Sequence, residues 1–468
     1  MAKKQKSIDK LIEEALVPRA EQPFEVPENW KWVRVKAVLE DMISSNPLHI
    51  DNKYFQYIDV DAVDNSKQEI KQVKKLRIED APSRARRKVK SNDVIISMVR
   101  PYLKNIAKIK GDVEGVIAST AFYVCSPKNG LLTDYLYYYL CSAIATKYLI
   151  SKTRGDNSPS VKNTDFESMP FPLPPIEEQK RIVKKVELLL SKIDEAKQLI
   201  EKAKESFELR RASILNKSIR GFYTKDFREE SVRKNEVLKA DKFTEKLLEP
   251  PFQLPIGWVW VKLEDILKEK KSLSYGILKP GEMDTKGIPM IRVMDIGKGK
   301  YNETELFKVS KELNNEYKRT QTEEGDILLA IMATIGRAVV VDKDHKNMNV
   351  NRAIAVIKIR NDVNSKFICN VILSPYFQKV FVENKIGSAQ SRINLSDLRK
   401  FLIPLPPLKE QEKIVEAIEG LNEGENKLDN LIDKLRQLDN LKQSIMYKAF
   451  RGELGTSNSS DFPPVNLL

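Results

Sequence analysis

Two long stretches of the chain carry apolar residues at alternating steps of four and three. The first runs through Ile182, Val186, Leu189, Ile193, Ala196, Ile200, Ala203, Phe207 and then Ile214. The second runs through Ile414, Ile418, Leu421, Leu428, Leu431, Leu435, Leu438, Leu441 and Ile445, with a slip near Gly420 and Gly424. A seam of that period, sustained over roughly four heptads, predicts two helices on the order of 60 Å long. Pro174-Pro175 and Pro406-Pro407 give each a hard start, because proline suits the first helical turn and not the interior. Arg220-Gly221 and Arg451-Gly452 close them. An isolated helix with one apolar stripe is unstable in water. The two are therefore predicted to bury their stripes on each other as an antiparallel coiled coil, with a globular block at each end and a pseudo-twofold relation between the halves.

The repetition extends beyond the helices. Phe171-Pro172-Leu173-Pro174-Pro175-Ile176-Glu177-Glu178-Gln179 returns as Ile403-Pro404-Leu405-Pro406-Pro407-Leu408-Lys409-Glu410-Gln411. Phe24, Pro27, Trp30, Trp32 and Val33 return as Phe252, Pro255, Trp258, Trp260 and Val261. Strand-like segments at 54–60, 94–99 and 116–124, then an aromatic helical stretch at 135–149, have counterparts in the same order at 288–296, 326–332, 349–359 and 367–373. The expected class is α+β: two tandem α/β blocks separated by the two helices. The boundaries read as an N-terminal helical arm (1–26, its helix at 7–16), a first block (27–175), a first helix (176–222), a charged linker (223–254), a second block (255–407), a second helix (408–452) and a disordered tail (453–468). The loops between the shared landmarks match poorly, and loops on a rigid scaffold are where recognition is placed.

Charge changes the picture. A net charge of +14 and a pI near 9.3 make a polyanion the natural partner, against the plainer reading of a solvated Lys/Arg surface. The three cysteines, Cys125, Cys141 and Cys369, have no paired spacing, which fits a reducing cytoplasm and disfavours a zinc knuckle. His49 and His345 sit near no ligand cluster. No apolar run reaches the ~18 residues of a membrane span, and the N-terminus lacks the apolar region of a secretory signal.

Nine Lys/Arg fall in residues 71–90 against Glu79 and Asp80. The stretch reads as a phosphate-tracking patch, with Arg86, Arg87, Lys88 and Lys90 as candidates, or as a solvated loop. Arg100, Tyr102 and Lys104 follow a strand, where an arginine on a turn can fork onto guanine or simply pair an acid. Polar loops add Arg154 and Lys162. The second block supplies Arg292, Arg319, Arg337, Gln390 and Arg392. Arg337 falls in the turn that corresponds by position to that of Arg100. Outward apolar positions on the helices, Val183, Leu190, Leu199 and Val415, are candidate docking surface, against packing on their own blocks. No P-loop and no dinucleotide-type glycine loop is present, nor is an Asn-Pro-Pro-aromatic run of amino-methyl transfer. The nearest nuclease-like string is Asp59, Asp61 and Glu69-Ile70-Lys71, a weak signal in so charged a chain.

The doubled P-L-P-P-x-x-E-Q, the long helix after each copy, the P-x-x-W-x-W-V openings and Gly325-Asp326-Ile327-Leu328 resemble the specificity subunit of type I restriction–modification enzymes over almost the whole chain. The resemblance implies two target-recognition domains, each reading half of a bipartite double-stranded DNA target. It implies helices that set the spacing and dock two methyltransferase subunits, with motor–nuclease restriction subunits joining through the complex. It implies a non-catalytic, cytoplasmic chain without a cofactor of its own, S-adenosylmethionine, ATP and magnesium belonging to the partners. Gln390 fits the Thr-Gln or Ser-Gln pair of many members, whereas Ser158-Pro159 replaces it in the first half. The rival readings are a self-contained nuclease or methyltransferase with duplicated domains, and a coiled-coil scaffold that binds no DNA.

Overall fold

The computed structural model describes residues 14–111, 113–233, 250–302, 304–387, 391–421, 425–458 and 461. It divides into two units, one of residues 1–200 with 431–468 and one of residues 201–430.

In the first unit, a four-stranded sheet runs Lys74–Arg77, Tyr54–Ile58, Val116–Ser119, Ala85–Lys88, with the central pair parallel. An antiparallel sheet runs Phe122–Cys125, Val94–Ser97, Ile106–Lys108. Its strands are buried on both faces. Val94, Ile96, Tyr123 and Cys125 enter the large core with the helices, while Ile95, Phe122 and Val124 enter a second one. The period-two alternation of a strand thus sorts a continuous apolar run into two cores. Helices Thr133–Cys141 and Ala143–Ser151 cover the large core.

The second unit repeats the plan. Ile288–Ile291 lies between Phe307–Val309 and Asn349–Val350, parallel to the latter. Leu273–Tyr275, Ile354–Ile357, Ile327–Ala330 and Ala338–Val340 form an antiparallel sheet covered by Ser365–Leu373 and Pro375–Asn384.

The first long helix is continuous over Ile176–Ser218 and gives residues to both units. The second is described over Leu408–Leu421 and Glu425–Phe450; residues 422–424 between them lie outside the described residues. In the first unit, contacts of Arg181 with Thr456, Lys185 with Leu454 and Lys197 with Asp439 run in opposite chain directions, so the packing there is antiparallel. Ile182, Val186 and Ile193 share a core with Ile445, Met446, Ala449 and Phe450. In the second unit Ile214, Leu215 and Ile219 share one with Ile414, Val415 and Ile418. Leu441, expected on the seam, is 47% exposed.

The repeated motifs meet at one junction in each unit. Lys31–Arg34 pairs with Pro170–Leu173, Trp32 opposite Pro172, and Val259–Lys262 pairs with Leu402–Leu405, Trp260 opposite Pro404. Trp30 Nε1 donates to buried Glu178 at 2.9 Å, and Trp258 Nε1 to buried Glu410 at 2.9 Å. Gln179 accepts from the Leu132 N–H and donates to the Pro174 carbonyl. Gln411 accepts from the Asn364 N–H and donates to the Pro406 carbonyl. The Arg-Gly pairs close the other helix's block. Gly452 (φ 73°) lies where a Cβ would come within 2.4 Å of Pro27, and Gly221 (φ 69°) where one would come within 2.8 Å of Pro255. Arg451 stacks over Phe24 and Arg220 over Phe252. The repeated motifs are therefore scaffold.

Three boundaries differ from expectation. Leu16 bridges to Val33 and the Val17 N–H donates to the Trp32 carbonyl, so the arm ends inside the first block; residues 7–13 of its expected helix lie outside the described residues. The linker opens with a helix at Lys225–Arg233, and residues 234–249 lie outside the described residues. The tail, expected to be disordered, is seated over its described part: Thr456 and Ser457 donate to Glu178, and Arg181 holds the Thr456 carbonyl and Asp461. A buried carboxylate needs donors, and the low-complexity composition of the tail concealed that it supplies them.

Candidate nucleic-acid interface

Beyond the strand Val94–Ser97 the chain turns sharply. Arg100 (φ 50°) and Lys104 (φ 51°) take the left-handed conformation on either side of Pro101–Leu103. Non-glycine residues rarely do so, and such strain persists only where surrounding bonds hold it. Here the Arg100 N–H donates to the Pro159 carbonyl at 2.7 Å, the Val161 N–H donates to the Met98 carbonyl at 2.8 Å, and Val99 bridges to Ser160. The turn and the polar loop are thereby zipped into one platform. It displays exposed Arg100, Tyr102, Arg154 and Lys162. Arg100 is braced by the Asn157 carbonyl at 3.3 Å, and Arg154 by Asp165 at 3.5 Å. Lys104 leaves this group: it is half-buried, its Nζ donates to the Cys141 carbonyl at 3.4 Å, and burial pulls its ammonium below the ordinary lysine range.

The second unit builds the same platform. Met332 bridges to Arg392, Ile386 bridges to Arg392, and the Ile393 N–H donates to the Ile331 carbonyl at 3.0 Å. By these bonds Ala333 (φ 61°) is the counterpart of Arg100, and Arg392 the counterpart of Ser160. The first unit thus displays exposed guanidinium groups on the turn and on the facing segment, Arg100 and Arg154, and the second displays Arg392 on the facing segment. Matching the bridges, rather than aligning nearby arginines, reveals this and corrects the expectation for Arg337. Arg337 is half-buried and points to the Ile296 carbonyl at 3.4 Å. Arg292, expected among the DNA contacts, forks onto buried Asp295, both bonds at 3.0 Å, and so braces its own unit. Arg319 is exposed on a short 3-10 turn, Lys318–Thr320. Gln390 lies outside the described residues.

The basic stretch is not one patch. Lys74–Arg77 and Ala85–Lys88 are opposite edges of the four-stranded sheet, with two strands between them. Lys74 pairs with Asp59, Lys75 lies over the Tyr54 ring and Arg77 pairs with Glu79. On the other edge Arg86 bonds the Ala85 carbonyl, Arg87 is half-buried, Lys88 is exposed and Lys90 pairs with Glu40 at 2.5 Å. A register shift between Ala85 and Arg87 breaks the in–out alternation there. Two of the nuclease-like acids are engaged too. Asp59 holds Lys74 and Glu69 lies 3.7 Å from Lys110, and no group of three His, Cys, Asp or Glu able to hold a metal is found among the described residues.

Of the helix positions proposed for docking, Leu199 is 61% exposed. Val183 and Leu190 pack against the core of the first unit, and Val415 is buried in that of the second. The seam is wider than a two-position stripe because each helix also packs on a block. Leu188, 56% exposed, escapes the sequence pattern, since it differs from buried neighbours only in helical phase. No helix among the described residues is long and apolar enough to cross a membrane.

Residues 27–205 and 255–437 each match the family described as type I restriction modification DNA specificity domain. The chain is 32% identical over 315 residues to the Type I restriction enzyme EcoBI specificity subunit of Escherichia coli, covering 67% of this chain and 62% of that one, so the match spans less than two thirds of that relative. It is 26% identical over 452 residues to the MjaVIII specificity subunit of Methanocaldococcus jannaschii, covering 92% and 95%. Among solved structures, a chain from work on complex assembly and conformational transition of the type I R-M system superposes with a TM-score of 0.70 at 27% identity, covering 92% of this chain and 100% of that one. The HsdS subunit from Thermoanaerobacter tengcongensis gives 0.53 at 28% identity, covering 92% and 99%.

Proposed function

The chain belongs to the type I restriction–modification DNA specificity family, and from that premise we propose that it is the DNA-reading subunit of such a complex, each block reading one half of a bipartite target. The observation that carries this reading is the pair of platforms. Corresponding backbone bridges present different side chains in the two units, Arg100, Tyr102, Arg154 and Lys162 in one and Arg392 in the other. A common frame with divergent tips is what two half-sites of different sequence require. The long helices set the half-site spacing and dock two methyltransferase subunits, with restriction subunits joining through the assembly. The chain itself is non-catalytic. S-adenosylmethionine, ATP and magnesium act on the partners.

Exchange of residues 27–175 for the corresponding block of another family member tests the reading. Methylation profiling of genomic DNA should show one half-site changed and the other intact. A change in both, or in neither, overturns independent reading.

A further inference from the structure

In the second unit a hairpin is latched to the first long helix. Ile296 bridges to Tyr301, and the four residues between them carry Lys298 and Gly299. Lys298 Nζ pairs with Glu208 at 2.8 Å, and Arg211 Nη2 donates to the Lys298 carbonyl at 2.6 Å. Gly299 (φ 85°) lies so close that a Cβ would sit 2.8 Å from Arg211 and 3.4 Å from Leu373.

The first unit holds the same parts unjoined. Its corresponding hairpin, Val63–Asp64 with Glu69–Ile70, carries Lys67 at the tip. Glu208 and Arg211 stand twelve and nine residues before Arg220, and Asp439 and Lys442 stand twelve and nine before Arg451. Acid and base therefore recur at the same helical positions. Here a cleft of about 470 Å³ intervenes, with Lys67, Gln68 and Glu69 among its lining on the hairpin and Asp439, Lys442 and Gln443 on the helix. Two features keep it open. The hairpin is two residues longer, 62–71 against 295–302 between its flanking backbone bonds. Tyr137 stands where the second unit has Cys369, the positions being matched through the bonds of Gln179 to Leu132 and of Gln411 to Asn364. Its hydroxyl donates to the Gln68 carbonyl at 3.1 Å and props the hairpin. Meanwhile Asp439 is taken by Lys197, and Gln443 Oε1 is buried with no partner among the described residues.

We propose that Lys67, Asp439 and Lys442 form a second latch, open in this structure, which closes to fix the first block on its helix when the target is bound. On closing, Lys67 replaces Lys197 on Asp439, and Lys442 bonds a carbonyl of the hairpin, as Arg211 does. Exposed ion pairs are worth little singly, so open and closed states lie near balance and a ligand with modest preference decides between them. The three are positioning residues: they orient a reading platform without touching a base. This inference rests on the DNA-reading function above.

The test uses the full chain with nitroxides at Ser66→Cys and Asn440→Cys, flanking the latch. Distances are measured with and without its bipartite target, and a gel shift run alongside reports binding. A shorter population should appear with DNA, vanish in Lys67→Glu and return in Lys67→Glu with Asp439→Lys. An unchanged distance on bound DNA overturns the latch and leaves the DNA reading standing. Failure to bind the target at all overturns the reading, and the latch with it.

Discussion

Trp30 Nε1 and Glu178 are joined at 2.9 Å across the closing junction of the first unit, and Trp258 and Glu410 repeat the bond at 2.9 Å in the second. The remaining carboxylate oxygen is satisfied differently. Glu178 takes the hydroxyls of Thr456 and Ser457, whereas Glu410 takes Thr224 and the largely buried guanidinium of Arg228. Glu410→Ala should therefore cost about 3–5 kcal/mol, because it strands a buried charge. Glu178→Ala should cost about 1–3 kcal/mol, the penalty of an unsatisfied indole donor. Urea unfolding followed by tryptophan fluorescence checks the order; equal losses would deny Arg228 its role.

Asp93 is buried and accepts from the Lys90 N–H at 2.7 Å. Burial raises its carboxyl above the ordinary 3.8. A raised folded value means that the stability it contributes is present below the unfolded value and lost as pH rises through the folded one. Asp93→Asn keeps an acceptor and removes the charge. The variant should have a higher urea midpoint than the parent at pH 7, with the difference shrinking toward pH 4. The counterpart Asp326 also pairs with Lys358 at 3.1 Å, so Asp326→Asn should gain less.

The two edges of the basic stretch should separate in function. Arg86, Arg87 and Lys88 changed together to Ala should weaken binding to all sequences. The slope of log K against log salt should flatten by up to about 0.9 for each phosphate that is no longer neutralised. The same change at Lys74, Lys75 and Arg77, each already engaged with an acid or a ring, should move the slope less. Arg100→Ala should instead relax one base preference, by about 1–3 kcal/mol for a bidentate bond to guanine. Competition assays against single-base variants of each half-site distinguish these effects.

Leu199→Asp should leave the chain folded and lower recovery of the methyltransferase complex. Val415→Asp should instead destabilise the chain, since Val415 is 6% exposed within a core. Circular dichroism with co-purification reads both. Full recovery of the complex by folded Leu199→Asp would remove the helix face from the docking surface.

The sequence by itself determined the duplication, the order of elements, both helices and the basic balance, because period and repetition survive in one dimension. It marked Trp30, Glu178, Gln179 and Gly452 as special without saying that they meet, since their bonds join residues far apart in the chain. Charge type was equally legible, but not its use: Arg292, Arg337 and Arg100 look alike as letters. Tertiary structure alone decided that the first forks onto Asp295, the second turns inward and the third stands on a strained turn in solvent. It alone split the basic stretch between two sheet edges and filled the faces of Val183, Leu190 and Val415. The physical reason is that an apolar residue is driven inward wherever it stands. A guanidinium, by contrast, takes whichever carboxylate, carbonyl or solvent the fold brings within its reach.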